Sequence, residues 1–320
     1  MTIKRIIYGA PPSDTPAGGV KVIYQHSERL NELGVESAIW HPNDESFQCT
    51  WFKNDIKRIR LSDMNPKTDL IVIPEIWAST HVSMLKNAGF RIAIYVQNCY
   101  YTHVNLNPTN TNAIREAYEK ADIILSISED TSTYLTNILK VAPEKIVLQR
   151  YSINHKLFIP KDKKKIITYM PRKMADHSNR VVNALTELLS AESWSIQAIQ
   201  NMNEQQVAES LSRSIIFLAF SEFEGLPVPP VEAALCGNYV IGYDGQGGKE
   251  YWKYPNFQKI EQGNIQEFAK QTLNRINLID SDFIEIDEIN SGIITLAKHF
   301  SKENESNMII NFVNKAISLK

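Results

Sequence analysis

The chain has 320 residues, 43% of them hydrophobic and 22% charged, enough for roughly two domains of about 100–200 residues each. Lys plus Arg is 34 and Asp plus Glu is 36, a net charge of −2 that argues against wholesale binding of nucleic acid. Cys49, Cys99 and Cys236 are far apart and form no C-x-x-C pair, so neither a disulfide framework nor a zinc site is implied, and a reducing cytosol fits. The opening MTIKRIIYGAPPSD has an apolar run too short for a signal sequence and reads as a first strand. No stretch approaches the ~18 apolar residues of a membrane span, so any membrane contact is expected to be peripheral.

Strand-like and helix-like runs alternate almost from end to end. The first half predicts strands at Ile3–Tyr8, Glu36–Trp40, Asp69–Pro74, Arg91–Gln97, Asp122–Ser128 and Lys145–Arg150. Several are near-continuous Ile/Val-rich runs, the pattern of a strand buried on both faces of a parallel sheet. Between them, Val20, Ile23, Tyr24, Ser27, Leu30 and Leu33 recur at helical spacing. The pattern restarts after His155–Pro160 and the basic stretch Lys161–Lys165, which reads as a solvated linker. Further strands are expected at Lys165–Met170, Trp194–Ile199, Ile215–Ser221 and Tyr239–Tyr243, and two last helices at Ile284–Phe300 and Glu303–Leu319. The alternation argues for an α/β architecture of two parallel-sheet domains: 1–155, a linker at 156–165, and 166–300. The segment 301–320 is a helix expected to return to the first domain. Ligands bind such sheets at the carboxyl ends of the strands, so the loops after the strands are where function is expected.

The richest loop is Ser221–Gly237, after the apolar strand Ile215–Phe220. A Pro at 229 or 230 suits a first helical turn, with Glu224 in the loop before it and Glu232 within that turn. A helix starting there aims free N–H groups and a positive dipole end at the loop region, a place for a diphosphate, while carboxylates accept hydrogen bonds from sugar hydroxyls. An ordinary loop-to-helix start with acids favoured by the dipole would read the same. Gly18-Gly19, between the first strand and first helix, allows backbone N–H groups to approach a phosphate, or is simply a flexible turn. Ser128 closes a strand, or caps the next helix.

Residues 224–237, EGLPVPPVEAALCG, resemble without a gap the E-G-F-G-L-P-x-x-E-A-x-x-x-G signature of the retaining GT-B glycosyltransferases, above all glycosyltransferase family 4. Glu224, Gly225, Pro229, Glu232, Ala233 and Gly237 coincide with signature positions, whereas Pro227 stands where the family has Gly. Val240–Glu250, VIGYDGQGGKE, resembles the strand, Gly-Gly and Glu that follow the signature, and Tyr151–Pro160 resembles the family's interdomain N-G-V-D-x-x-x-F-x-P, with Ser152 for Gly and Asn154 for Asp. The resemblance implies a GT-B fold, two Rossmann-like parallel-sheet domains facing across a cleft. It implies a retaining transfer of sugar from a nucleotide-diphosphate donor to a glycan or lipid-linked glycan, with no metal or other cofactor, in bacterial surface polysaccharide assembly.

The resemblance also implies roles. Glu224 would hold the donor sugar near its reacting carbon and Glu232 the ribose. Gly18, Gly19, Gly225, Leu226 and Ser128 would belong to the donor site. The family's Arg and Lys after the first strand of the second domain, which neutralise the leaving diphosphate, are matched by Arg172 and Lys173, here adjacent rather than several residues apart. Both fit solvent charges at a strand end as well. The acceptor would meet Gln97, Asn98, Tyr100, Tyr101 and His103, in a loop of rings and amides. The family often has His or Asp near the Gln97-Asn98 position and this chain has neither. Asp280-Ser281-Asp282 has the spelling of the metal-holding pair of GT-A enzymes but lies beyond the expected strands, and reads as a turn or helix cap. A GT-B-fold nucleotide-sugar epimerase and a non-catalytic nucleotide-sugar-binding protein remain as alternatives.

Overall fold

The structure, a computed structural model, describes residues 3–42, 44–103, 111–189, 193–281 and 286–319. The chain divides into two compact units, 1–151 with 303–320, and 152–302.

The first unit is built on a six-stranded sheet in the order β2-β1-β3-β4-β5-β6. Its strands are β1 (Arg5–Gly9), β2 (Glu36–Trp40), β3 (Asp69–Pro74), β4 (Arg91–Val96), β5 (Ile123–Ser126) and β6 (Ile146–Leu148). All its pairings are parallel. Parallel strands need crossover connections, and here α1 (Gly18–Glu32), α2 (Ala78–Asn87), α3 (Thr111–Lys120) and α4 (Glu129–Asn137) cover the sheet. That cover is why the strands are apolar on both sides: all six residues of β3 are buried. The core gathers Ile71, Ile73, Ile92, Ile94, Val96 and Ile124 with Leu85, Ile114 and Tyr118 from the helices.

The second unit holds a five-stranded parallel sheet in the order β11-β10-β9-β7-β8. Its strands are β7 (Ile166–Tyr169), β8 (Ser195–Ala198), β9 (Ile216–Ala219), β10 (Tyr239–Gly242) and β11 (Phe257–Lys259). Its helices are α5 (Ala175–Leu188), α6 (Glu204–Arg213), α7 (Val228–Leu235), α8 (Ile265–Asp280) and α9 (Ile286–His299). The core packs Ile216, Leu218 and Ile241 against Val181, Leu185, Phe268 and Ile276. Every strand expected from sequence is present with ends shifted by no more than two residues. Strand β11 and helix α8 were not foreseen one by one. β11 has only three residues, two of them polar, and shows neither alternation nor an apolar run.

The last helix, α10 (Lys302–Ser318), belongs to the first unit. Ile309, Phe312 and Ala316 are wholly buried there, and Arg91 donates to the Leu319 carbonyl at 2.5 Å. Glu305, only 2% exposed, faces Arg29 at 3.4 Å and the wholly buried His26 at 3.6 Å. A buried carboxylate deprived of its partners, or the reverse, is costly. Glu305→Ala is therefore expected to lower the stability of the first unit by about 3 kcal/mol in urea unfolding. A loss under about 1 kcal/mol would show that the apolar face of α10 docks it unaided.

The basic stretch 161–165 is not a free tether. Lys163 donates to the carbonyls of Ser214 and Cys236, both at 2.6 Å, Lys161 pairs with Glu209, and Lys165 pairs with Asp280 at 2.9 Å. Desolvation pushes the Lys163 amine down to about 8. The alternation of Lys with other charges reads as solvated, but these partners come from residues tens of positions away. Asp280 ends α8 and also accepts from the Trp194 indole at 3.1 Å, whereas Asp282 lies outside the described residues.

Candidate active site

Each sheet has a topological switch point, where the chain first adds a strand on one side and then on the other, leaving a crevice at the carboxyl ends. In the second unit it falls between β7 and β9. The loop after β7 carries Arg172 and Lys173, and the loop after β9 carries Glu224. These three line one cavity of about 60 Å³, floored by Phe217–Ser221 and closed on one side by Pro229 and Pro230. A second cavity of about 570 Å³ adjoins it and shares Met170 and Arg172. Its walls are Pro171, Ile199, Met202 and Val207, with the amides of Asn179, Gln200 and Asn201.

The backbone around these cavities is under local strain. Met174, Asn201, Phe223 and Gln246 all have positive φ, between 47° and 74°. One follows each of β7, β8, β9 and β10, and among the described residues only Lys140 is a further non-glycine case. Left-handed non-glycine residues cost of order 1–3 kcal/mol each and concentrate at functional sites. Their placement at four neighbouring strand ends marks this rim independently of any motif.

The loops after β9 and β10 are locked together. The Glu224 N–H donates to the Gly245 carbonyl at 2.8 Å, and the Gly247 N–H donates to the Glu224 carbonyl at 3.0 Å. A Cβ on Gly247 would fall 1.9 Å from the Gly225 carbonyl oxygen, so only glycine fits. Tyr251 donates to the Pro227 carbonyl at 2.7 Å from beneath. Glu224 is thus held by its own backbone, and its side chain pairs with Lys173. That pairing favours the charged amine. Desolvation first, and the neighbouring Arg172 guanidinium second, oppose it and push the Lys173 amine down to about 8. Arg172 is exposed. Gly225 and Leu226 are buried in the lock.

Two expectations about α7 are corrected. Glu232 is not in its first turn but is the fifth residue of the helix, half-buried. And the helix start is poor in free donors: Pro227 is the N-cap and Pro229 and Pro230 follow, so of residues 227–230 only Val228 has an N–H. The prolines shape the turn and strip the amides that would greet an anion. Positive charge at this site comes from side chains.

In the first unit the switch point lies between β1 and β3. Gly18 and Gly19 open α1 and are exposed. A Cβ on Gly19 would sit 2.5 Å from the Gln97 side-chain oxygen, and the Gln97 amide donates to the Gly19 carbonyl at 3.0 Å. The glycine therefore makes room for Gln97 after β4. Asn98 is buried, and its side chain accepts from the Tyr100 N–H at 3.1 Å. The Tyr100 hydroxyl donates to Asp130 at 2.6 Å, Tyr101 is 48% exposed, and His103 is half-buried. Residues 104–110 of this loop lie outside the described residues. Ser128 is wholly buried as the N-cap of α4, accepting from the Thr131 N–H at 3.1 Å, so its hydroxyl faces no open surface.

One residue that sequence reasoning missed lies beneath this loop. Glu75, 4% exposed, accepts from the Gln97 N–H at 3.2 Å and the Asn98 N–H at 3.0 Å. Nothing in Pro74-Glu75-Ile76-Trp77 flags it, because its partners are 22 and 23 positions away. The second unit's Gly245–Gly248 turn was visible only through the resemblance.

Among the described residues no group of three or more His, Cys, Asp or Glu could hold a metal ion, all three cysteines are free and buried, and no helix is long and apolar enough to cross a membrane.

No protein-family model matches the chain, and no curated protein does. Solved structures do match over nearly its whole length. A glycosyltransferase from Rickettsia africae ESF-5 is 14% identical, with a TM-score of 0.71 over 99% of this chain and 100% of that one. Anabaena HepE in complex with UDP-glucose is 11% identical, with a TM-score of 0.72 over 97% and 99%. The lipopolysaccharide outer core galactosyltransferase WaaB is 16% identical, with a TM-score of 0.68 over 97% and 99%. At these identities the likeness is one of fold: two parallel-sheet α/β domains of the GT-B type.

Proposed function

We propose that the chain is a retaining glycosyltransferase, similar to family 4, that moves a sugar from a nucleoside-diphosphate donor to a glycan or lipid-linked glycan acceptor. The observation that carries this reading is the meeting of Arg172, Lys173 and Glu224 in one cavity at the switch point of the second sheet. A leaving diphosphate gains negative charge as the glycosidic bond breaks, and two cations beside it stabilise that charge without a metal. Glu224 faces the same space and can accept hydrogen bonds from the sugar. The adjoining cavity, with apolar walls and three amides, has the make-up of a nucleoside subsite. Lys173 and Glu224 pair with one another, and a bound donor would separate them, its phosphate taking the amine and its hydroxyls the carboxylate.

The solved neighbours support the donor class, since HepE was crystallised with UDP and with UDP-glucose. The lipopolysaccharide outer core galactosyltransferase supports a surface glycan as acceptor. The acceptor would meet Gln97, Asn98, Tyr100, Tyr101 and His103 in the first unit. One observation favours a second reading. Pro227 in place of the family's Gly, with no His or Asp near Gln97-Asn98, is also what a chain that binds nucleotide sugar without transferring it would show. A thermal-shift screen of nucleotides and nucleotide sugars, followed by turnover of the hits, separates these. A ligand at about a hundred times its dissociation constant stabilises by roughly 2.7 kcal/mol. A screen with no hit would sink both readings.

A further inference from the structure

Glu75 is a buried carboxyl with no cation to pair with it among the described residues. It opens a short 3-10 turn, Glu75–Trp77, directly after β3. Trp77 of that turn lies against the end of β1, 3.1 Å from where a Cβ of Gly9 would stand. The turn thus fills the switch point of the first sheet from below. Both Glu75 oxygens are engaged from above: Oε2 accepts the Gln97 N–H and Oε1 the Asn98 N–H. Gln97 continues the chain of contacts to the Gly19 carbonyl, and Asn98 to the Tyr100 N–H.

We propose that Glu75 is a positioning residue of the acceptor side, whose carboxylate fixes the Gln97-Asn98 backbone and, through the Gln97 side chain, the Gly18-Gly19 turn. The role on the acceptor rests on the function proposed above; the pin itself does not. An ionised carboxylate accepts on both oxygens, whereas a protonated one turns one oxygen into a donor and loses a partner. Two N–H groups that both need an acceptor therefore require the charged form. Desolvation opposes that form, and outweighs the N–H bonds from Glu75 itself, Gln97 and Asn98, pushing the carboxyl up to about 7. The groups around it do nothing to reverse this. Tyr118 of α3, Tyr95 of β4 and the Cys99 thiol face it, and Asp130 stands beyond Cys99 and Tyr100. All are neutral or acidic. The pin accordingly forms above about pH 7 and is released below it.

Amide hydrogen exchange resolved at residues 97 and 98 tests this without donor or acceptor. In the wild-type protein, after correction for intrinsic chemistry, both amides are expected to be about tenfold better protected at pH 8.5 than at pH 5.5, with the rest of β4 unchanged. In Glu75→Gln, which can accept only one of the two bonds, that pH difference disappears and protection at pH 8.5 falls to the low-pH level. Equal wild-type protection at the two pH values overturns the proposal, and this comparison stands even should the variant not fold. So does a Glu75→Gln protein that keeps the full pH difference. Calorimetric titration with UDP, ADP, GDP and dTDP in turn distinguishes the two readings. The pin with none of the four bound sinks the donor site alone, whereas binding of any of them with no pin sinks the role of Glu75 alone.

Discussion

Arg172→Ala is expected to lower the rate of sugar transfer by about 10²-fold or more while leaving unfolding by urea nearly unchanged. The expectation follows from what α7 lacks. A helix beginning at a strand's carboxyl end ordinarily offers several free N–H groups to an anion, but Pro227, Pro229 and Pro230 leave only Val228 with one. The charge that grows on the leaving diphosphate then falls to side chains. Lys173 is one, but it is paired with Glu224 and its amine is pushed down to about 8. Arg172 presents a planar guanidinium fork suited to phosphate and lines both cavities. Being exposed, it contributes little to packing, which is why folding should survive. Arg172→Lys restores charge without the planar fork and should recover only part of the rate. Steady-state turnover of the nucleotide sugar that the thermal-shift screen selects checks this, and unchanged kinetics in Arg172→Ala would remove the residue from the site.

Glu224→Gln should cripple transfer and leave binding of the free nucleoside diphosphate nearly intact, whereas Glu232→Ala should weaken nucleotide binding first. The reasoning is positional. Glu224 stands in the loop facing Arg172 and Lys173, where a sugar attached to the diphosphate would lie. Glu232 is a full turn into α7 and lines neither cavity, so its place at the ribose is what the family resemblance implies. A neutral Gln keeps the shape of Glu224 but loses the charge beside the reacting carbon, a loss that acts in the transition state more than in the bound state. If calorimetry shows both variants losing the nucleotide to the same extent, the division of roles is wrong.

How much of this could be read beforehand differs by element. The buried parallel strands were plain, because a strand covered on both faces by helices must be apolar throughout, and Asp69–Pro74 and Glu36–Trp40 were bounded to the residue. β11 was not, since three residues ending in Gln258 and Lys259 carry no periodicity. Glu224 was legible in a strand-end loop, where such sheets hold function, and Arg172 and Lys173 through the family resemblance; the structure brings all three together. The stripping of N–H groups by the prolines was legible in principle, yet the helix start suggested the opposite. Glu75 could not be seen, because its role depends on the backbone of β4's loop, far along the chain. Lys163 misled for the same reason: a basic stretch looks solvated until the Ser214 and Cys236 carbonyls arrive beside it.

The central claim is retention without a metal. Inversion needs a base to draw the acceptor proton as it attacks, and Gln97 and Asn98, at the end of β4, cannot serve as one near neutral pH. Front-face retention needs no such group, because the departing phosphate oxygen would take the proton while Arg172 and Lys173 would hold the phosphate. Proton NMR of the glycoside formed in excess EDTA tests both halves at once. The account predicts a product with the donor's anomeric configuration, made at an undiminished rate. An inverted linkage, or no product until magnesium or manganese is restored, would contradict it.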